Sequence, residues 1–238
     1  MQVEKNQLKL AKRFKAEISA AEDQAFRAMQ MKAQDLDFSK EALQLKRRPS
    51  TPFFKEPAAD GRVYPGYFTW VMVMENGNRV FKKMRYRVRP HNSPEIPSKF
   101  NVFNARVDAI EQRKTWKGLF MRRHALVPFV RFYEWVEHQG AKKLISFAPE
   151  DKEIMWAPCL WDHWENTQMS ISFSSFAIIT DDPPPEVSEM GHDRCPIFLQ
   201  ENYIDAWLTP QGKSKSDMYE ILKTKEAVIY KNEWAAAS

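Results

Sequence analysis

Two cysteines in 238 residues, Cys159 and Cys195, are too few for a disulfide scaffold or a four-cysteine zinc module. Seven glycines against 15 prolines exclude collagen-like and glycine-rich linker architectures. No apolar run approaches the ~20 residues a membrane-spanning helix needs. The opening MQVEKNQLKLAKRFK is charged throughout, with no apolar core of a secretory signal. Also absent are the Walker loop, the GxGxxG turn, the HExxH zinc motif and the GxSxG elbow. No metal and no cofactor is expected. A reduced, cytoplasmic location follows, nucleoid-associated in a bacterium.

Aromatic side chains are plentiful: 8 Trp, 7 Tyr and 16 Phe, enough for a real core. The net charge of +5 conceals a strong asymmetry. Residues 79–124 hold 13 basic and 3 acidic side chains, whereas residues 125–238 hold 10 and 18. Within the basic block Arg85, Arg87 and Arg89 alternate with Tyr86 and Val88, so an extended chain puts three cations on one face. A phosphate backbone is a natural partner for such a face. A solvated edge strand whose charges block aggregation is the competing explanation.

Along the chain, Val3 to Ile18 has the spacing of an amphipathic helix, and Ser19-Ala20-Ala21-Glu22 has the pattern of a capping box that opens a second helix to about Met31. Residues 35–62 are expected to be irregular. Tyr67 to Met74 and Val80 to Arg89 make a hairpin around Asn76-Gly77. Four more strands are expected at His124 to Val136, Lys143 to Ala148, Ile154 to Trp161 and Ile171 to Thr180, with helices at Glu201 to Leu208 and Ser214 to Thr224. Strands without regular intervening helices imply an α+β fold: one domain with a curved, mostly antiparallel, barrel-like sheet and peripheral helices. Its expected parts are a helical extension over 1–60, a core over 63–208, and a helix and tail over 209–238.

Few polar residues sit in apolar surroundings. Glu134, between Tyr133 and Trp135 at the end of an apolar strand, suits proton transfer or a salt bridge with Arg131. His192 follows a proline run, where it fits a general acid or base or a structural hydrogen bond. Asn104 and Arg106 share a face if extended, one an amide and the other a phosphate fork, or else a loop cap and a surface cation. Cys159 is expected to be a buried thiol.

In order, these pieces resemble the SRAP family of SOS-response-associated peptidases, sensors of abasic sites in single-stranded DNA. Val63-Tyr64-Pro65-Gly66 is similar to an early proline-containing segment. Arg85 to Pro90 stands where members have Arg-Trp-Gly-Leu-Ile-Pro, and Phe103-Asn104-Ala105-Arg106 holds the Asn-Ala-Arg motif. Arg123 to Pro128 and Phe132-Tyr133-Glu134-Trp135 resemble Arg-Cys-Leu-Val-Pro followed by Phe-Tyr-Glu-Trp. Leu160-Trp161, Phe176 to Thr180 and His192 to Pro196 complete the series.

The resemblance implies chemistry on abasic DNA, in which an N-terminal cysteine's amine attacks the ring-opened aldehyde and its thiol closes a thiazolidine. It gives Asn104 the positioning of that residue and the sugar, Glu134 the amine, and His192 the proton transfers. Arg106 with Arg85, Arg87 and Arg89 would grip phosphates, and Tyr86 would stack on a base. The implied protein is a monomer that binds single-stranded DNA and no membrane, with possible self-processing peptidase activity; the alternative is a module that binds the strand without covalent chemistry. Position 2 is Gln, which has no thiol and is expected to leave Met1 in place, with no α-amine where the chemistry needs one. Gln2-Val3 before a lysine-rich helix is similar to the stretch after Met-Cys-Tyr-Ser-Ala in one branch, so a late start is expected, with a variant that has lost crosslinking as the rival. Arg87 in place of Gly is the second departure.

Overall fold

The structure is a computed structural model and describes residues 1–33, 54–93, 102–168 and 170–236. Most of the irregular segment expected over 35–62 lies outside these residues.

Strand β1 (Gln2–Val3), helix α1 (Gln7–Phe14), strand β2 (Ala16–Ile18) and helix α2 (Ala20–Lys32) open the chain. The single helix expected from Val3 is thus divided. Val3 is buried and pairs with Phe129, which draws the first residues into the sheet. Helix α1 starts where Asn6 Oδ1 accepts from Lys9 N at 3.0 Å and ends where Lys15 turns left-handed (φ 48°). Ser19 caps α2 as expected, its Oγ accepting from Glu22 N at 3.2 Å.

Strands β3 (Phe68–Glu75) and β4 (Asn78–Tyr86) form the expected hairpin. Its Asn76-Gly77 turn takes positive φ at both residues (50° and 80°), the twist a two-residue hairpin needs and one that glycine adopts without strain. Strand β5 (Asn104–Arg106), helix α3 (Lys114–Lys117) and the long strands β6 (His124–His138), β7 (Ala141–Pro149), β8 (Met155–Asn166) and β9 (Ile171–Asp181) follow. Helix α4 (Pro185–Ser188), strand β10 (Cys195–Pro196), helices α5 (Ile204–Leu208) and α6 (Lys215–Lys223) and strand β11 (Tyr230–Ala235) complete the chain.

The pairings β3–β4, β4–β9, β9–β8, β8–β6 and β6–β3 close a five-stranded barrel; only β4–β9 is parallel. Closure removes open edges from the ring. Strand β6 belongs to two layers. Its first half pairs with β8 from His124 to Phe129, and its second half leaves the barrel to pair with β7 from Phe132 to His138. Strand β1 lies on β6 at the crossover, with Gln2 opposite Arg131.

The alternation of β3 and β4 sends Val71, Val73, Val80, Met84 and Tyr86 into the barrel, where they meet Ala125, Val127, Cys159 and Phe176. The opposite face, with Met72 and Phe81, is covered by Leu10 and Phe14 of α1, Trp207 of α5 and Met218 and Leu222 of α6. A third cluster packs Phe26 of α2 on Phe54, Phe68, Trp164 and Phe173. Among the described residues, no helix is long and apolar enough to cross a membrane.

Candidate functional site

At one end of the barrel, a cavity of about 270 Å³ opens between β1, the chain at Arg62–Pro65, and strands β4, β5, β6 and β7. Met1, Tyr86, Asn104, Glu134 and Trp135 line it. Strand β5 runs parallel to β9 with Asn104 opposite Ile178, which carries the amide to the mouth of the barrel. Tyr86, the last residue of β4, donates its hydroxyl to Asn104 Oδ1 at 3.0 Å. That bond fixes the amide and leaves its NH2 end as the donor available to a guest. The Tyr86 ring is buried against Phe176 (centroids 5.3 Å apart, nearly parallel), and burial raises its hydroxyl well above the usual tyrosine range. Tyr86 is therefore a buried support for Asn104, and its ring is packed on Phe176 where stacking on a base was expected.

Glu134 and His192 come together although 58 residues separate them; His192 Nε2 lies 3.0 Å from Glu134 Oε2. The hydrogen bond to this carboxylate raises the His192 pKa above its ordinary value. The other ring nitrogen, Nδ1, faces two backbone groups: Arg194 O at 2.7 Å and Arg194 N at 3.2 Å. A protonated Nδ1 donates to the carbonyl, and a bare one accepts from the amide. Both protonation states are served, as a proton carrier requires.

The amine of Met1 enters the same cavity, donating to Val63 O at 3.3 Å. Burial lowers its pKa to about 6; Glu134 pulls the value up and Arg62 pushes it down. Around it, Val63 N donates to Met1 O at 2.8 Å, and Tyr133 donates its hydroxyl to Gln2 Oε1 at 2.8 Å. The Gln2 amide donates in turn to Asp60 O at 2.6 Å, so this side chain is tied at both ends. Arg62 lies over the Tyr133 ring at 4.6 Å. At the rim Trp135 stays 54% exposed, on a strand where its neighbours Phe132 and Val136 are 2% exposed.

The sequence-expected arginines separate. Arg106, the last residue of β5, is exposed, its Nε 2.9 Å from Asp108 Oδ1. Arg85, Arg87 and Arg89 do not form a solvent-facing row. Strand β4 ends at Tyr86, Arg87 takes φ 122°, and the three are 1%, 5% and 3% exposed. Aromatic faces lie against two of them: Arg89 is 4.5 Å over Trp164 and Arg85 is 5.8 Å over Phe173. Retention of Met1 was expected to leave no α-amine at the site, but the structure brings the Met1 amine into the cavity; sequence reasoning also missed Arg62 and Trp135 as cavity residues. Only Trp135 carried a local signal, as a large aromatic beside a carboxylate near a strand end.

The description of the SOS response associated peptidase (SRAP) family matches residues 18–235. The chain belongs to this family. The match extends beyond residues 63–208, over which the motifs are legible. Among curated relatives, the abasic site processing protein YoaM of Bacillus subtilis (strain 168) is 21% identical over 166 residues, covering 69% of this chain and 72% of its own length. The abasic site processing protein HMCES of Gallus gallus is 25% identical over 228 residues, 87% of this chain and 66% of its own. A crystal structure of a protein from Bordetella bronchiseptica superposes with a TM-score of 0.63 and 18% identity, over 86% of this chain and 99% of that one. One from Bacteroides thetaiotaomicron gives 0.59 and 18%, over 71% and 73%. Both share the fold. Among the described residues, no group of three or more His, Cys, Asp or Glu is placed to hold a metal ion.

Proposed function

We propose that this SRAP protein takes part in the response to DNA damage by seating an abasic site of single-stranded DNA in the cavity, where the ring-opened aldehyde meets the Met1 amine. One observation carries the reading: an amine with its pKa lowered to about 6 lies in a pocket that also holds a fixed amide, Asn104, and a carboxylate bonded to an imidazole. At neutral pH such an amine is mostly the free base, hence a nucleophile. Its lone pair attacks the aldehyde carbon to give a carbinolamine. The Glu134–His192 pair takes the proton that nitrogen sheds and returns one to the departing hydroxyl. Loss of water leaves an imine. Asn104 donates to a sugar oxygen, Trp135 stacks on a neighbouring base, and Arg106 meets a phosphate.

Gln2 supports a stop at the imine. It has no thiol, and its amide is engaged by Tyr133 and Asp60. With Met1 as the attacking residue the covalent link is reversible; a cysteine ahead of Met1, as the late start expects, would instead close a thiazolidine. A second reading, binding without covalent chemistry, has the same support from Gln2 and differs only at the amine.

Trapping with borohydride separates them. Incubation with an abasic oligonucleotide and the reductant gives a stable adduct on the Met1 peptide by mass spectrometry, and heating without reductant gives none. Glu134→Gln and His192→Ala slow trapping more than they weaken binding. Trapping increases from pH 5 to 7 and then levels off, because the amine is half neutral near pH 6. Binding with no adduct at any pH favours the non-covalent module. Equal affinity for intact and abasic strands overturns both readings.

A further inference from the structure

The chain between β5 and β6 carries Arg113, Lys114, Lys117, Arg122 and Arg123 and, from residue 112 to 123, no acidic side chain. All five are exposed. Buried Trp116, Leu119 and Phe120 pin this segment down, so the cations stand on a fixed base. The nearest acids in sequence are taken elsewhere: Asp108 by Arg106, and Glu111 by Lys215 at 2.8 Å. None of the five forms a side-chain ion pair among the described residues.

Arg123 is the most organised of them. Its guanidinium lies 4.4 Å over the Trp161 ring. The indole Nε1 donates to His124 O at 3.2 Å, and the Trp161 main-chain N donates to Arg123 O at 3.0 Å. Stacking orients the planar fork while its N–H edges stay available to an anion. Two residues along β8, on the same face, His163 is exposed with Nδ1 3.2 Å from Ser174 Oγ. These groups edge a groove of about 680 Å³ between α2 and the barrel. The lysines of that groove are already neutralised, Lys82 by Glu22 and Glu75 and Lys83 by Asp23 and Glu56. Arg123 is the groove cation left without an acidic partner among the described residues. It immediately precedes β6, whereas Glu134 lies within that strand eleven residues later, about 36 Å of extended chain away.

We propose that the Arg113–Arg123 segment and the Arg123–Trp161 stack form a second nucleic-acid contact, which holds phosphates of a strand outside the cavity. A rigid fork among cations that have no ion-pair partner among the described residues matches repeated phosphates. The kind of partner rests on the function proposed above; the patch itself does not.

The test compares abasic single strands of about 6 and about 25 nucleotides across a salt series, by fluorescence anisotropy. Two double variants are used, Arg122→Ala/Arg123→Ala and Lys114→Ala/Lys117→Ala; the second removes side chains with no partner among the described residues, so folding is spared. Each lost phosphate contact lowers the slope of log affinity against log salt by about 0.7, about 1.4 for two. Between about 50 and 200 mM salt, the wild type then loses about 7-fold more affinity for the long strand than either variant. The short strand binds all three proteins equally. Unchanged slopes in both variants overturn the second contact. If the wild type fails to bind the short strand but the slope difference persists on the long one, the cavity reading falls and this one stands.

Discussion

Acid should destabilise this protein through His124 before the surface carboxylates titrate. The ring is 3% exposed and stacks on Trp207 with centroids 3.9 Å apart. Its Nδ1 donates to Trp207 O at 2.8 Å, and its Nε2 accepts from Met121 N at 3.3 Å. A second proton on Nε2 would face a backbone donor in a dry site. Burial accordingly lowers the pKa from 6.5 to about 4, opposed by the Trp207 carbonyl and assisted by Lys213. The unfolded chain takes up the proton near 6.5 and the folded chain only near 4. The contribution of His124 is therefore complete above about pH 6.5, is lost as pH falls towards 4, and changes no further below that. At ~1.36 kcal/mol per pH unit the loss is about 3 kcal/mol, a large part of a typical stability of ~5–15 kcal/mol. Urea unfolding followed by tryptophan fluorescence at several pH values measures it. His124→Asn keeps a donor for the Trp207 carbonyl but cannot titrate. The variant is less stable at pH 7 because packing is lost, yet its stability declines less between pH 6.5 and 4. Parallel profiles for wild type and variant would refute the assignment.

Three further outcomes follow from particular contacts. Arg87 has φ 122°, a region suited to glycine, so Arg87→Gly is more stable than Arg87→Ala by about 1 kcal/mol in chemical denaturation; the reverse order argues against strain there. Tyr86→Phe removes the bond to Asn104 Oδ1, costs about 1 kcal/mol of stability, and weakens abasic-strand binding relative to an intact strand by anisotropy. Trp135→Ala leaves the melting temperature within a degree or two, since the ring is exposed, and lowers affinity for single strands about tenfold by loss of one stacked base.

What was legible in the sequence follows the range of the interactions. The Asn76-Gly77 turn, the Ser19 cap and the apolar strands from His124 to Asp181 depend on neighbours within a few residues, and the structure has them within two or three residues of the expected bounds, except β8, which runs on to Asn166. Strand β5 has three residues, too few for a periodic signal, and β11 is a polar edge strand exposed along most of its length. The split of the first helix was illegible because Val3 is claimed by Phe129, 126 residues later. The meeting of Glu134 and His192 has the same origin and came into view only through motif order.

The arginine triplet shows why counting charge misleads. Alternation assumes that a strand continues and that cations seek water, and both assumptions fail after Tyr86. The backbone turns at Arg87, and the planar guanidinium groups of Arg85 and Arg89 lie on aromatic faces that no window around them contains, because Trp164 and Phe173 are some 75 to 90 residues away. The charge of residues 79–124 therefore divides into two kinds. The triplet is buried, two of its members against aromatic rings, and does not reach a bound strand without repacking. Arg106, in a surface pair with Asp108, and the five cations from Arg113 to Arg123 remain in solvent, where a phosphate can displace water or a surface carboxylate at small cost. The salt dependence of binding should follow this second set alone, so that substituting the buried triplet alters stability and leaves the slope intact.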